Sequence, residues 1–249
     1  MSIIIPVYNE LDNLGFALFS IFKQNQIDNI EVIIIDDCSD CSYQKDIKLY
    51  KSLGMDIKYI RNKDNVGAGV SRQKGIDIAT GEFIAFLDAD DFITPNLYME
   101  VTKNIKLYPE KEVFSWSIAV ENFKLPQKGV FHLGSYAVRK DFLIRNNIRF
   151  HDNLRLFEDL YFVNLVLDIA IFENKFQMIN KVLYYYRNQN KNSTLHRCRL
   201  KKEELNNIKN IATAQKTMWL LNNKPEILEN YEFVKLKFEK ILKDRENID

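Results

Sequence analysis

The chain has 249 residues, 46% of them hydrophobic and 28% charged, which is enough to bury a sizeable core and to build one α/β domain with an appendage. Its 35 lysines and arginines nearly balance 34 aspartates and glutamates, so no overall field favours a polyanion and nucleic acid is excluded as an expected partner. Apolar runs fall short of the roughly 20 residues of a spanning helix, and Met1-Ser2-Ile3-Ile4-Ile5-Pro6 is too short for a signal peptide. Three cysteines make no disulfide framework, and the expectation is a folded cytoplasmic protein.

Residues 2–7, 31–35 and 82–87 are short β-branched runs that end in polar residues, the pattern of buried parallel strands, and 58–61 is a less regular fourth. Helical patterns lie between them at 14–23, 45–53 and 69–79, the last followed by Gly81, a residue suited to a helix C-terminus. The order β-α-β-α-β-α-β predicts a doubly wound sheet with ligands at the carboxyl ends of its strands. Asp36 and Asp37 follow one strand and Asp88 another, so three carboxylates should converge on one edge. Beyond Pro95 the alternation fades. Residues 96–108 read as a helix, 113–123 and 129–138 as strands or irregular segments, and 160–171 as an apolar helix preceded by Phe157-Glu158-Asp159. From about residue 201 the chain is rich in lysine, glutamate and asparagine. Apolar residues at Leu205, Ile208, Ile211 and Ala212, then at Val234, Phe238, Ile241 and Leu242, predict amphipathic helices.

Asp88-Ala89-Asp90-Asp91 closes the third of the regular strands. Three carboxylates within four residues repel one another unless a cation or several donors compensate, and hard oxygen ligands suit Mg²⁺ or Mn²⁺, with a diphosphate completing the coordination. A polar turn with an aspartate cap for the helix near Asn96 is the plainer reading of the same residues. Cys38 and Cys41 form a C-x-x-C, and with His196 and Cys198 they offer three sulfurs and one nitrogen to zinc; a reducing cytoplasm makes ordinary free thiols the simpler account.

Pro6-Val7-Tyr8-Asn9-Glu10, Asp36-Asp37-Cys38-Ser39-Asp40, Asn65-Val66-Gly67 with Ser71-Arg72-Gln73-Lys74-Gly75, and Phe86-Leu87-Asp88-Ala89-Asp90-Asp91 occur in that order. Their order and spacing resemble the family 2 glycosyltransferases of GT-A fold. The resemblance resumes at Ile148-Arg149-Phe150 and Phe157-Glu158-Asp159-Leu160-Tyr161-Phe162, and continues through Tyr184-Tyr185-Tyr186-Arg187 to Ser193.

The resemblance implies a Rossmann-like mixed sheet flanked by helices, with a nucleotide-sugar-binding half at 1–95, an acceptor-binding half at 96–200 and a helical extension at 201–249. It implies a UDP-sugar donor, an acceptor that is a saccharide or lipid-linked saccharide, and inversion at the transferred carbon, as in bacterial surface polysaccharide assembly. Pro6, Tyr8, Asn9, Glu10 and Ala89 would line the nucleotide, Asp37 would accept the uracil N3–H, and Arg72 would lie near the base or diphosphate. Asp88 would reach the ribose or the metal region. Asp90 would be the main ligand of Mn²⁺ or Mg²⁺, with Asp88 and His196 beside it, and Asp159 would be the general base. Cys38 stands where the family usually has glycine, so a positive φ there would strain the loop. His132 receives no role.

Two other classes compete. A nucleotidyltransferase would share the sheet but open with a Gly-rich basic phosphate loop, which Pro6-Val7-Tyr8-Asn9-Glu10 is not. A non-catalytic interaction protein would tolerate loss of Asp90, Asp159 or Arg72, all of which are present. The tail, with Trp219, Leu220 and Leu221, suits packing on the catalytic domain, a second subunit in a homo-oligomer, or peripheral contact with the inner face of a membrane.

Overall fold

The computed structural model describes residues 1–120, 132–187 and 201–246. Its centre is one eight-stranded sheet in the order β3-β2-β1-β4-β7-β6-β8-β5. The first four strands are β1 (Ser2–Val7), β2 (Glu31–Asp36), β3 (Asp56–Arg61) and β4 (Phe83–Phe86), all mutually parallel. Ile3, Ile5 and Val7 pack into one core and Ile4 into a second on the opposite face, which is why β1 is a continuous apolar run. The helices α1 (Leu14–Phe22), α2 (Gln44–Ser52) and α4 (Leu97–Leu107) cover the first face. The second face carries α3 (Ala68–Ile78), α5 (Lys140–Arg145) and α6 (Glu158–Phe172).

The uniformly parallel sheet expected from the alternation extends only as far as β4. Next to it lies β7 (Tyr136–Arg139), antiparallel to both β4 and β6 (Val113–Val120). Two strands that periodicity does not reveal, β8 (Phe176–Tyr186) and the two-residue β5 (Phe92–Ile93), complete the far edge. The sheet is therefore mixed, as the resemblance implied.

Gly81 has another use than the expected helix cap. Helix α3 ends before it with Ala79 in an extended conformation, and a Cβ on Gly81 would come within 2.6 Å of the Ser2 backbone nitrogen. Glycine is required there for close approach to the start of β1. On the same edge Glu31 receives hydrogen bonds from Ser2, Lys58 and Thr80, tying β2 to β1, β3 and the end of α3.

The extension folds as α7 (Lys202–Asn223), α8 (Pro225–Glu229) and α9 (Tyr231–Glu246). Ala212, Leu220, Ile227 and Val234 are at most 3% exposed and join the core that contains α6. The Lys216 ammonium lies 2.8 Å from Asp168 on that helix. Of the three readings of the tail, packing on the catalytic domain thus accounts for its buried stripe. No described helix is long and apolar enough to cross a membrane.

Candidate active site

In the strand order the chain turns back between β1 and β4, and the carboxyl ends of β1, β2 and β4 share one edge, where open α/β sheets bind ligands. Strand β4 pairs only with Ser2–Ile4, so β1 has lost that neighbour by Pro6, a residue without an N–H to contribute. Beyond it, the 8–10 loop is tied to the loop after β2. The Asn9 N–H donates to Ser39 Oγ at 3.0 Å, Asn9 Oδ1 accepts from the Asp40 N–H at 2.8 Å, and the Glu10 N–H donates to Tyr43 Oη at 3.0 Å.

Asp36 is fully buried and accepts from Tyr59, Arg61 and the Ser39 N–H. Asp37 accepts from Asn62 Nδ2 at 2.9 Å, the Val66 N–H at 2.9 Å and the Gly67 N–H at 2.8 Å. Its carboxylate therefore pins the loop that starts α3. Cys38 has φ of +67°, so the strain anticipated for a non-glycine residue is present. Its Sγ donates to the Lys63 carbonyl at 3.2 Å. Cys38 and Cys41 are free thiols outside any metal-binding group of the described residues, while Cys198 and His196 lie outside those residues.

After β4 the acidic segment turns under the sheet edge. Ala89 is buried in the first core, where only a small side chain is presented, and separates Asp88 from Asp90. Asp91 is 1% exposed and accepts from the Tyr184 hydroxyl at 2.6 Å and the Arg187 N–H at 2.7 Å, both from the end of β8. The capping role weighed for this segment is not what Asp91 does: its carboxylate is spent on β8. Burial first, then the charges of Asp88 and Asp90, push its pKa up to about 8.

Arg72, on α3, is buried and joins two distant segments. Its Nη2 donates to Asp88 Oδ1 at 2.8 Å and its Nη1 to Glu158 Oε1 at 2.9 Å, while its buried Nε has no partner among the described residues. Burial opposes the Arg72 charge, but Asp88, Glu158 and Asp159 outweigh it and hold its pKa above the ordinary arginine value. Asp88, in spite of burial, is held below the usual carboxylate range by Arg72. Glu158 is pushed up to about 7, by burial first and by Asp159, against the pull of Arg72. Gly69 lies directly beneath it: a Cβ there would be 2.9 Å from Glu158 Cγ.

Asp159 follows in the first turn of α6, after Phe157 in a left-handed conformation with φ of +59°, an expensive backbone for a bulky residue. The helix-start reading of Glu158-Asp159 is thus correct as local structure. Asp159 directly follows Glu158, the residue that Arg72 binds, and its own Oδ1 accepts the Leu160 N–H at 2.7 Å.

Asp88, Asp91 and His132 present ligand atoms within 4.8 Å of one another. His132 does not suit a metal, however. Its Nδ1 accepts the Gly134 N–H at 3.2 Å, and a backbone N–H can only donate, so the ring proton resides on Nε2 and no lone pair is offered there. Burial lowers the His132 pKa, in keeping with a neutral ring. Asp88 and its near neighbour Asp90 are oxygen donors suited to Mg²⁺ or Mn²⁺, and the repulsion from them that adds to burial in raising the Asp91 pKa is what a cation would relieve.

The structure thus brings Asp88, Arg72, Asp91 and Glu158 together, with Asp159 the next residue after Glu158 and Asp37 pinning the loop that starts α3. Sequence reading missed His132, Tyr184 and the bridging role of Glu158. A Glu-Asp pair was legible, but its partner Arg72 stands 86 residues away.

A family model described as "Glycosyl transferase family 2" matches residues 2–151. An uncharacterized glycosyltransferase of Methanocaldococcus jannaschii is 27% identical over 96% of this chain and 85% of its own length. The Escherichia coli UDP-Glc:alpha-D-GlcNAc-diphosphoundecaprenol beta-1,3-glucosyltransferase WfgD is 32% identical over 51% of this chain and 52% of its own. The chain spans only 28%, 27% and 35% of three further bacterial relatives. Among solved structures, S. aureus TarS 1-349 in complex with UDP-GlcNAc superposes with a TM-score of 0.73 at 21% identity, covering 90% of this chain and 67% of that one. That likeness establishes the fold as GT-A type.

Proposed function

The chain belongs to glycosyl transferase family 2, and from that premise we propose that it moves a sugar, with inversion, from a UDP-sugar to a hydroxyl of a saccharide or lipid-linked saccharide. The observation that carries this reading is the Arg72 bridge, which fixes the donor-side carboxylate Asp88 against the first turn of the helix bearing Asp159. Asp159 takes the acceptor proton as the acceptor oxygen bonds to the anomeric carbon, and the bond from that carbon to the diphosphate breaks from the opposite side, releasing UDP. The loops at Pro6, Tyr8, Asn9, Glu10 and Asp37 hold the uridine. Asp88 and Asp90 would hold Mn²⁺ or Mg²⁺, which supplies Lewis-acid stabilisation of the leaving diphosphate. The donor and acceptor named for WfgD, and the UDP-GlcNAc bound by TarS, favour a hexosyl or N-acetylhexosaminyl donor. A lipid-linked acceptor would bring the protein to a membrane surface.

Replacing Asp159 by Asn should reduce transfer by at least about a hundredfold, the lower range for a lost general base, while UDP-sugar affinity stays within a few-fold. Chromatography of the products should show free UDP and no pyrophosphate. Transfer that persists in the Asn variant would remove Asp159 from the mechanism, and pyrophosphate would favour a nucleotidyltransferase.

A further inference from the structure

His132 stands just before a 3-10 turn, Leu133–Ser135, that leads into β7, and its ring packs against Tyr184 and Tyr186 with centroids 5.0 and 5.2 Å away. The Gly134 N–H on Nδ1 fixes the tautomer and makes Nε2–H a donor. That nitrogen is 4.0 Å from Asp88 Oδ2, too far for a hydrogen bond between them. The separation fits a single oxygen about 2.8–2.9 Å from both, accepting from the histidine and donating to the carboxylate. A hydroxyl does both at once, and a sugar is rich in them.

The part of the donor that supplies the hydroxyl follows from the sheet. The uridine loops close β1 and β2, Asp88 closes β4, and His132 precedes β7, the next strand across. A donor laid along this edge from its base outward therefore meets His132 with the part beyond the diphosphate.

We propose that His132 and Asp88 together grip one hydroxyl of the transferred sugar, so that His132 is a donor-specificity residue. The inference rests on the proposed UDP-sugar donor.

The test uses the full chain and a set of UDP-sugars that differ by removal or inversion of single hydroxyls. His132→Asn keeps an acceptor for the Gly134 N–H but loses the outer donor, whereas His132→Gln places a donor near the Nε2 position. His132→Asn should lower kcat/KM about tenfold for the preferred donor, the size of one hydrogen bond, and should lower it no further for the analogue lacking the held hydroxyl. His132→Gln should recover most of the loss. A loss shared equally by all donors, or no loss, would overturn the proposal. Imidazole ¹⁵N spectra, with three histidines to assign, give a reading independent of turnover. A proton on Nε2 of His132, with a shift on adding UDP-sugar that UDP alone does not produce, is expected. A proton on Nδ1, or the same shift with UDP alone, overturns the proposal. Failure of the wild-type chain to use any UDP-sugar would instead sink the proposed function, and this inference with it.

Discussion

Arg72 has Asp88 on one guanidinium nitrogen and Glu158 on another, with Arg72 and Glu158 largely removed from water and Asp88 half-buried. Removing the cation would leave two carboxylates facing each other without a partner, and breaking a buried pair from one side costs about 3–5 kcal/mol. Arg72→Met should therefore lower the urea unfolding free energy by about 3 kcal/mol, and adding Glu158→Gln in that background should recover part of it. If the single change is neutral, the bridge does not form in solution. At this scale the acidic residues were legible because like charges in one turn demand compensation. The compensators were not, since Arg72 and Tyr184 are drawn in by the fold, Tyr184 from 93 residues beyond Asp91.

Glu31 does comparable work between elements. Burial alone would raise its pKa, but the bonds from Lys58, Ser2 and Thr80 outweigh that and take it from 4.5 down to about 2. A carboxylate with a depressed folded pKa stabilises fully above its unfolded value, and that contribution is lost as the pH falls from about 4.5 to about 2. Denaturant midpoints measured across that window should fall more steeply for the wild type than for Glu31→Gln; parallel curves would show that the shift is absent. Strands β1 and β2, which Glu31 ties together, were readable from alternation because each is a local run covered on both faces, whereas the edge strand β3, with Ile60 exposed, was the less regular one. Strands β5 and β8 were not. The first has two residues, and the second is interrupted where β6 opposite it shifts register between Trp116 and Ile118. Their pairing is non-local, and no local periodicity encodes it.

Across the whole molecule, the C-terminal helices close the open side of α6. Leu220 is fully buried at that contact, so Leu220→Ala should destabilise the protein by about 2–5 kcal/mol, the range for a buried leucine, as read by urea titration. A change under about 1 kcal/mol would mean that α7 is docked loosely. The tail's amphipathic pattern was plain in the sequence, but not what it would cover. The two halves of the sheet are also less separable than their order along the chain suggests. The acidic segment at 88–91 belongs to the first, yet Asp91 is held by Tyr184 and Arg187, Asp88 by way of Arg72 answers to Glu158, and β5 pairs with β8. A chimera spliced after residue 95, with a relative's second half grafted on to change the acceptor, would inherit a nucleotide pocket whose braces belong to the donor of the graft. Such recombinants should work only when the incoming segment brings a hydroxyl at 184 and a carboxylate at 158, which makes those two positions the ones to match when parents are chosen.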